Sequence, residues 1–94
     1  MNTIIHSANA GFDKKNDILI TLEPVDDDGI QVLLSSPVKG QFGKAITSTI
    51  KEVLKRHNIT GVKAVAQDNG AFDFTIRART LTALGRALAP ERKK

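Results

Sequence analysis

Residues Val38 to Val62, VKGQFGKAITSTIKEVLKRHNITGV, contain the clearest secondary-structure signal in the chain. Within them, residues suited to one side of a helix recur three and four positions apart. Asn58 and Gly61 provide the stop signal. At Ser35-Ser36-Pro37 a serine hydroxyl can cap free N–H groups and a proline suits the first turn. The pattern therefore predicts a long helix whose inner face carries Phe42, Ala45, Ile46, Thr49, Ile50, Val53, Leu54 and His57.

The following stretch, Val62 to Leu88, admits two interpretations. The turn residues Asp68-Asn69-Gly70 separate two β-prone runs, 62–67 and 71–77, which predicts a hairpin. From about Ala78 the leucines recur at helical spacing, so the hairpin would be followed by a helix ending near Ala89-Pro90. In the competing interpretation that helix already begins at Phe72. On the hairpin interpretation, one strand face would carry Phe72, Phe74 and Ile76.

Working outward to the N-terminus, Asp17 to Glu23 alternates apolar and polar positions as a strand does. Pro24 limits this strand, and the turn sequence Asp26 to Gly29 leads into a second strand, Ile30 to Leu34. The two strands predict an antiparallel hairpin. Residues 1–13 are expected to form a flexible arm, and residues 90–94 a basic tail.

These elements predict an α+β fold of two successive ββα units. A four-stranded, mainly antiparallel sheet would carry two helices on one face, which buries both apolar stripes. With 94 residues the chain is expected to form a single domain, 1–94. Phe42 and Phe74 are predicted to lie in the core, so an Asp at either position should unfold the domain.

Composition argues against several classes of function. The chain has no cysteine, and its two histidines, His6 and His57, lie in the arm and at the helix end, so no catalytic or metal-binding residues are predicted. The run Asp26 to Asp28 lacks calcium-loop spacing and fits a solvated turn. A net charge of +4 allows nucleic-acid binding, but the basic residues are scattered and no aromatics interleave with them. Neither a membrane span nor a secretory signal is evident, and a cytoplasmic location is expected.

An ordered series of short motifs resembles the acyl carrier (gamma) subunit of citrate lyase. Citrate lyase carriers read A-G, three residues, then S-G-D before the first strand, and Ala10-Gly11 and Asp17 fall in step with that pattern. The resemblance runs from about Ala10 to Ala89, and the malonate decarboxylase carrier fits less well. The remaining matches are Ile18, Ile20, Pro24, Gln41, Phe42, Gly43, Ala45, Ile46, Asn58, Gly61, Val62, Gly70, Ala71, Asp73, Arg77, Ala78 and Arg79.

The resemblance implies a non-catalytic carrier. In this family a serine bears a phosphoribosyl-dephospho-coenzyme A arm, attached by a dedicated prosthetic-group transferase. The arm holds acetyl and citryl thioesters while citrate is cleaved to acetate and oxaloacetate. The implied partners are an alpha subunit, which is a coenzyme A-transferase, and a beta subunit, which is the lyase.

At the attachment position itself this chain departs from the family pattern. Counting from Gly11 and Asp17, the serine falls on Lys15 and its glycine on Asn16. One alternative is a degenerate, unmodified subunit of the same complex, and another is attachment at Ser7. By resemblance, Asp17, Arg77 and Arg79 are candidate contacts for the arm or a partner, although both arginines also suit surface pairing with acids such as Asp73. A small basic nucleic-acid-binding module remains a third alternative.

Overall fold

The computed structural model describes residues 3–89, so the predicted tail at 90–94 lies outside the described residues. Four strands and two helices make up this part of the chain. In order they are β1 (Ala8–Ala10), β2 (Ile18–Pro24), β3 (Ile30–Ser35), α1 (Lys39–Arg56), β4 (Val62–Asp68) and α2 (Asp73–Leu88). The α+β class, the four-stranded sheet and the two helices are confirmed.

The strands form one sheet in the order β1-β2-β4-β3. β1 and β4 each run antiparallel to β2, whereas β3 runs parallel to β4. The sheet is therefore mainly antiparallel, as predicted. The hairpin predicted between β2 and β3 is wrong, because β4 lies between them. α1 supplies the long crossover that a parallel β3–β4 pair requires.

The prediction of two successive ββα units is also wrong, since no second hairpin follows Asn69-Gly70. Gly70 has a φ of +88°, and the backbone N–H of Ala71 donates to Asp68 Oδ1 at 2.9 Å. This loop leads directly into α2, as the competing interpretation proposed. Residues at helical spacing then face the core, which explains why the helix wins over a strand. They are Ile76, Thr80, Ala83, Leu84 and Ala87.

The fourth strand comes instead from the predicted N-terminal arm. Ala8–Ala10 form β1, and Ile4 is only 4% exposed. The backbone N–H of Ile5 donates to the carbonyl oxygen of Ala87, and Arg86 Nη1 donates to the carbonyl oxygen of Asn9. The arm is thus joined to the end of α2 over part of its length.

The core lies between one face of the sheet and the two helices. α1 buries most of its predicted stripe, but Phe42 is 48% exposed. Phe74 is 72% exposed on the first turn of α2, where it stacks on Phe72. The core placement of Phe42 and Phe74 was therefore wrong. Phe42 lies in the first turn of α1, one turn before the buried Ile46. Phe74 lies two residues before the buried Ile76, which places it on the opposite side of α2. The fully buried side chains of largest volume are Ile18, Ile20, Leu22, Ile50, Leu54, Ile59, Val62 and Thr80.

α1 begins at Lys39, three residues after the predicted capping serine. Its N-cap residue, Val38, makes no side-chain cap. Ser36 Oγ instead accepts a hydrogen bond from the backbone N–H of Val38 and donates to Asp68 Oδ2 at 2.7 Å. Ser36 therefore ties the start of α1 to the end of β4. At the other end of α1, His57 is the C-cap residue.

Candidate functional site

The loop between β1 and β2, residues 11–17, contains the position that the resemblance assigns to attachment. It begins at Gly11, which has a φ of +92°. A Cβ at this position would lie 1.9 Å from the carbonyl oxygen of Ile18, so a larger residue cannot occupy it without moving the strand. Gly11 thus allows the loop to leave β1 in close contact with the start of β2.

The end of this loop is fixed on the loop between β4 and α2. The backbone N–H of Asn16 donates to the carbonyl oxygen of Asn69 at 2.7 Å, and that of Asn69 donates to the carbonyl oxygen of Asp17 at 2.9 Å. The amide of Asn69 also donates to Asp13. Asn16 has a φ of +63°, a conformation that asparagine tolerates better than most residues and glycine adopts freely. Asn16 is therefore a residue suited to the left-handed backbone that the loop has at this position.

Asp17 and Arg79 form a two-pronged ion pair that joins the loop to α2. Arg79 Nε lies 3.0 Å from Asp17 Oδ1, and Arg79 Nη2 lies 2.8 Å from Asp17 Oδ2. Asp17 Oδ1 also accepts the backbone N–H of Ile18 at 2.7 Å. The hydrogen bonds from Arg79 lower the pKa of Asp17 against the opposing effect of burial, and they raise the pKa of Arg79. Arg79 also lies over the ring of Phe12, with Lys14 on the same ring.

Arg77 belongs to a different cluster. Its Nε donates to Asp73 Oδ2 at 2.7 Å, and its Nη1 donates to Glu52 Oε1 at 3.1 Å on α1. Asp73 in turn accepts the hydroxyl of Thr49 at 2.8 Å. Hydrogen bonds from Arg77 are the main cause of the lowered pKa of both carboxyl groups. Arg77 pairs with Asp73 and Glu52 on the surface, as the surface-pair interpretation proposed, and thereby links the two helices, while Arg79 contacts the loop.

The side chains in loop 11–17 do not fit the serine attachment that the resemblance implies. Lys15 is exposed, and no residue from Gly11 to Asp17 carries a hydroxyl. A phosphodiester needs an oxygen from the protein, whereas the amine of Lys15 would form a phosphorus–nitrogen bond. Residues 11–17 therefore offer no oxygen nucleophile at the position that the resemblance assigns to attachment.

Ser7, the alternative attachment residue, lies at the other end of β1. It is exposed and precedes Ala8, which pairs with Leu22, whereas the loop leaves β1 after Ala10. Because the three residues of β1 lie between them, Ser7 and Gly11, the first residue of the loop, are separated by roughly 13 Å. His6, beside Ser7, has its Nε2 2.7 Å from the carbonyl oxygen of Ala89 at the end of α2. Ser7 therefore shares none of the contacts that fix loop 11–17.

An apolar groove of about 450 Å³ lies between the first turns of the two helices. Phe42, Ile46, Phe72 and Ile76 line it, together with Gly70 beside the anchored loop. The sequence did not predict this groove, because Phe42 was assigned to the core and Phe72 to the face of a strand. Phe42 continues the helical spacing of the buried residues, so the sequence pattern gave no sign of its exposure.

No cluster of three histidine, cysteine or acidic residues suited to a metal ion occurs among residues 3–89. In the turn that precedes β3, Asp27 accepts hydrogen bonds from the backbone N–H of Gly29 and from the side chain of Gln31. Neither helix of the described chain is long and apolar enough to span a membrane.

Two solved structures resemble this fold at low sequence identity. A protein from Thermus thermophilus gives a TM-score of 0.63 at 21% identity, and the match covers 90% of this chain and 16% of that protein. The RNase P protein of Thermotoga maritima gives 0.50 at 12% identity, covering 83% of this chain and 85% of that one. At these identities the likeness extends to the fold alone.

Sequence comparisons identify much closer relatives. Residues 5–87 match the family model described as ACP, Malonate decarboxylase delta subunit (MdcD). The citrate lyase acyl carrier protein of Edwardsiella ictaluri is 39% identical over 85 residues, which covers 89% of this chain and 86% of that protein. The protein of the same name from Oenococcus oeni is 47% identical, covering 90% of this chain and 87% of that one. The motif resemblance is thereby confirmed, and this chain belongs to the family of the citrate lyase acyl carrier proteins, which are non-catalytic carrier subunits rather than enzymes.

Proposed function

We propose that this chain fills the carrier position in a citrate lyase-type complex, beside an alpha coenzyme A-transferase subunit and a beta lyase subunit, and that residue 15 leaves it without the arm. The supporting observation is loop 11–17. Asn16, Asp17 and Arg79 hold this loop in place, and at the position that the resemblance assigns to attachment Lys15 provides no oxygen nucleophile. The chain would then organise its larger partners without carrying an acyl group.

Attachment of phosphoribosyl-dephospho-coenzyme A at Ser7 is the alternative that would make this chain a working carrier of acetyl and citryl groups. Ser7 is exposed and bears the required hydroxyl. A modifying transferase that recognises the anchored loop would, however, have to reach across β1. We therefore rank attachment at Ser7 second.

We also propose a cytoplasmic location, which is a prediction from the sequence.

The test is the intact mass of the protein after co-expression with the family's prosthetic-group synthase and transferase. We expect the natural chain and Lys15→Ala to stay unmodified and Lys15→Ser to gain the mass of the arm. The natural chain and Lys15→Ala differ in charge at residue 15, but both lack a hydroxyl there. If neither is modified, the missing hydroxyl and not the positive charge explains the absence of the arm. A mass gain in the natural chain that disappears in Ser7→Ala would establish the loaded alternative instead.

The organising role makes a separate demand, which is stable association with the two large subunits. The natural chain should co-purify with both when the three are co-expressed together with the prosthetic-group synthase and transferase, as should Lys15→Ser. Failure of the natural chain to associate, with Lys15→Ser still associating, would mean that an arm is needed for assembly and would contradict the proposed role.

A further inference from the structure

The two edges of the sheet differ in how they are protected. β1 forms one edge, is only three residues long, and has the carbonyl oxygen of Asn9 occupied by Arg86. β3 forms the other edge with six residues, Ile30–Ser35, of sequence IQVLLS. It contains no proline and no charged residue, which are the usual means of blocking an edge. Within residues 3–89, its backbone forms no hydrogen bond beyond the ladder to β4.

The side chains of β3 are also incompletely covered. Ile30, Val32 and Leu34 point toward the helix layer but are only half-buried. On the opposite face Leu33 is 55% exposed and pairs in register with Val65. An additional strand beside β3 would therefore cover apolar surface on both faces of the sheet, besides satisfying its outward N–H and C=O groups.

A row of lysines on α1 borders this same edge. Lys39 and Lys44 line a shallow groove with Leu34, and Lys51 and Lys55 line another with Ile30. Among the described residues none of these four lysines has an acidic partner within ion-pair distance, whereas Lys63 pairs with Glu23 and Arg77 with Glu52. The row extends over roughly 24 Å of helix at 1.5 Å per residue, which is comparable to the length of β3 and its turns.

We propose that the β3 edge binds an extended, acidic segment of a partner protein, which adds a fifth strand to the sheet. Backbone hydrogen bonds to β3 would supply the pairing. Acidic side chains directed toward the helix layer would meet the lysine row, and apolar side chains on the other face would lie beside Leu33. Because β3 lies outside loop 11–17, this surface does not depend on whether the chain is loaded.

The charges favour this occupant over two others. A second copy of this chain paired edge to edge would bring a second row of lysines close to the first, and like charges oppose that association. A nucleic acid would satisfy the lysines but has no peptide groups to pair with the strand, and no exposed aromatic residue lies in the lysine row for a base to stack on.

A short blocked peptide of alternating Glu and Val residues is a direct probe for the full-length protein. Titrated into ¹⁵N-labelled protein, it should shift amide resonances of Ile30–Ser35 and slow their hydrogen exchange. The charge-reversed peptide of alternating Lys and Val should bind at least about tenfold more weakly. Shifts located away from β3, or equal affinity for the two peptides, would overturn the proposal.

Charge-reversing variants supply the matched control. Lys44→Glu combined with Lys51→Glu should weaken binding of the acidic peptide about tenfold, since both lysines border the edge. Lys14→Glu combined with Lys15→Glu makes the same change in net charge in loop 11–17, away from β3, and should leave affinity within about twofold. Equal losses in the two variants would show general charge attraction. Sedimentation that reveals a β3-mediated dimer, or duplex DNA that competes for the β3 amides, would replace the proposed occupant.

Discussion

At the scale of single residues, Asp17 has the most consequential contacts in the candidate site. Its carboxylate is held by Arg79 from α2 and by the backbone N–H of Ile18 at the start of β2. Its side chain is 15% exposed and that of Arg79 35%, so solvent weakens the pair without removing it. The pair joins the loop that carries residue 15 to the interior of the domain.

Because these contacts lower the pKa of Asp17, they stabilise the fold only while this carboxyl is ionised. The contribution is complete above the unfolded pKa of about 3.9 and is lost as the pH falls through the lower native value. We expect Asp17→Asn to reduce the free energy of unfolding by about 1 kcal/mol at neutral pH, and the difference from the natural protein to shrink below about pH 3. Urea denaturation across this range measures it. Asp26→Asn, in an exposed turn, is the control, and a loss of the same size at that position would show a general charge effect.

At the scale of elements, the first turns of both helices carry exposed aromatic residues. Phe42 on α1 and Phe72 at the start of α2 border the apolar groove instead of entering the core, and Phe74 stacks on Phe72. Ile50, two turns further along α1, is completely buried. Burial therefore changes along each helix, and helical periodicity alone does not report that change.

This placement reverses the expectation for Phe74. Phe74→Asp should change the free energy of unfolding by less than about 0.5 kcal/mol, because the side chain is exposed and an acid is favourable in the first turn of a helix. Ile50→Asp should prevent folding, because it buries a charge without a partner. Chemical denaturation followed by circular dichroism distinguishes them. Loss of folding in Phe74→Asp would return this residue to the core.

At the scale of the whole molecule, the N-terminal segment closes the structure against the end of α2. Ile4 enters the core, the N–H of Ile5 bonds to the carbonyl of Ala87, and β1 adds the fourth strand. Residues close to the two ends of the described chain thus meet on the same side of the domain. A freely moving arm would contribute nothing to the free energy of unfolding. Because residues 4–10 pack on the domain and pair with β2, we expect this segment to stabilise the fold.

Ile4→Ala tests that contribution. We expect it to lower the free energy of unfolding by about 2–3 kcal/mol, since a buried isoleucine loses its packing and leaves a cavity. Ile5→Ala is the matched control, because Ile5 is 63% exposed and should lose less than about 0.5 kcal/mol. Equal and small losses in urea denaturation would mean that the segment is held only weakly.

The sequence by itself determined those features whose signals are local. Alternation in residues 17–23 and helical spacing in residues 42–54 identify β2 and α1, and the motifs from Ala10 to Arg79 identify the family. The absence of a hydroxyl at Lys15 is likewise evident from the sequence. Each of these features depends on residues only a few positions apart, so it can be recognised without knowing which strands and helices pack together.

Only the tertiary structure decided which strands pair and where the second helix begins. Asn69-Gly70 is compatible with a hairpin or with a helix start, and local preference does not separate them. Burial does, because as a helix residues 73–88 place Ile76, Ala83 and Leu84 against the sheet. β4 then has its edges free to pair with β2 and β3, and β1 is drawn from the arm to cover the outer edge of β2. Which distant strands pair depends on how much apolar surface the whole chain removes from water. The amount of buried apolar surface depends on all the elements together, so no short stretch of sequence reveals it.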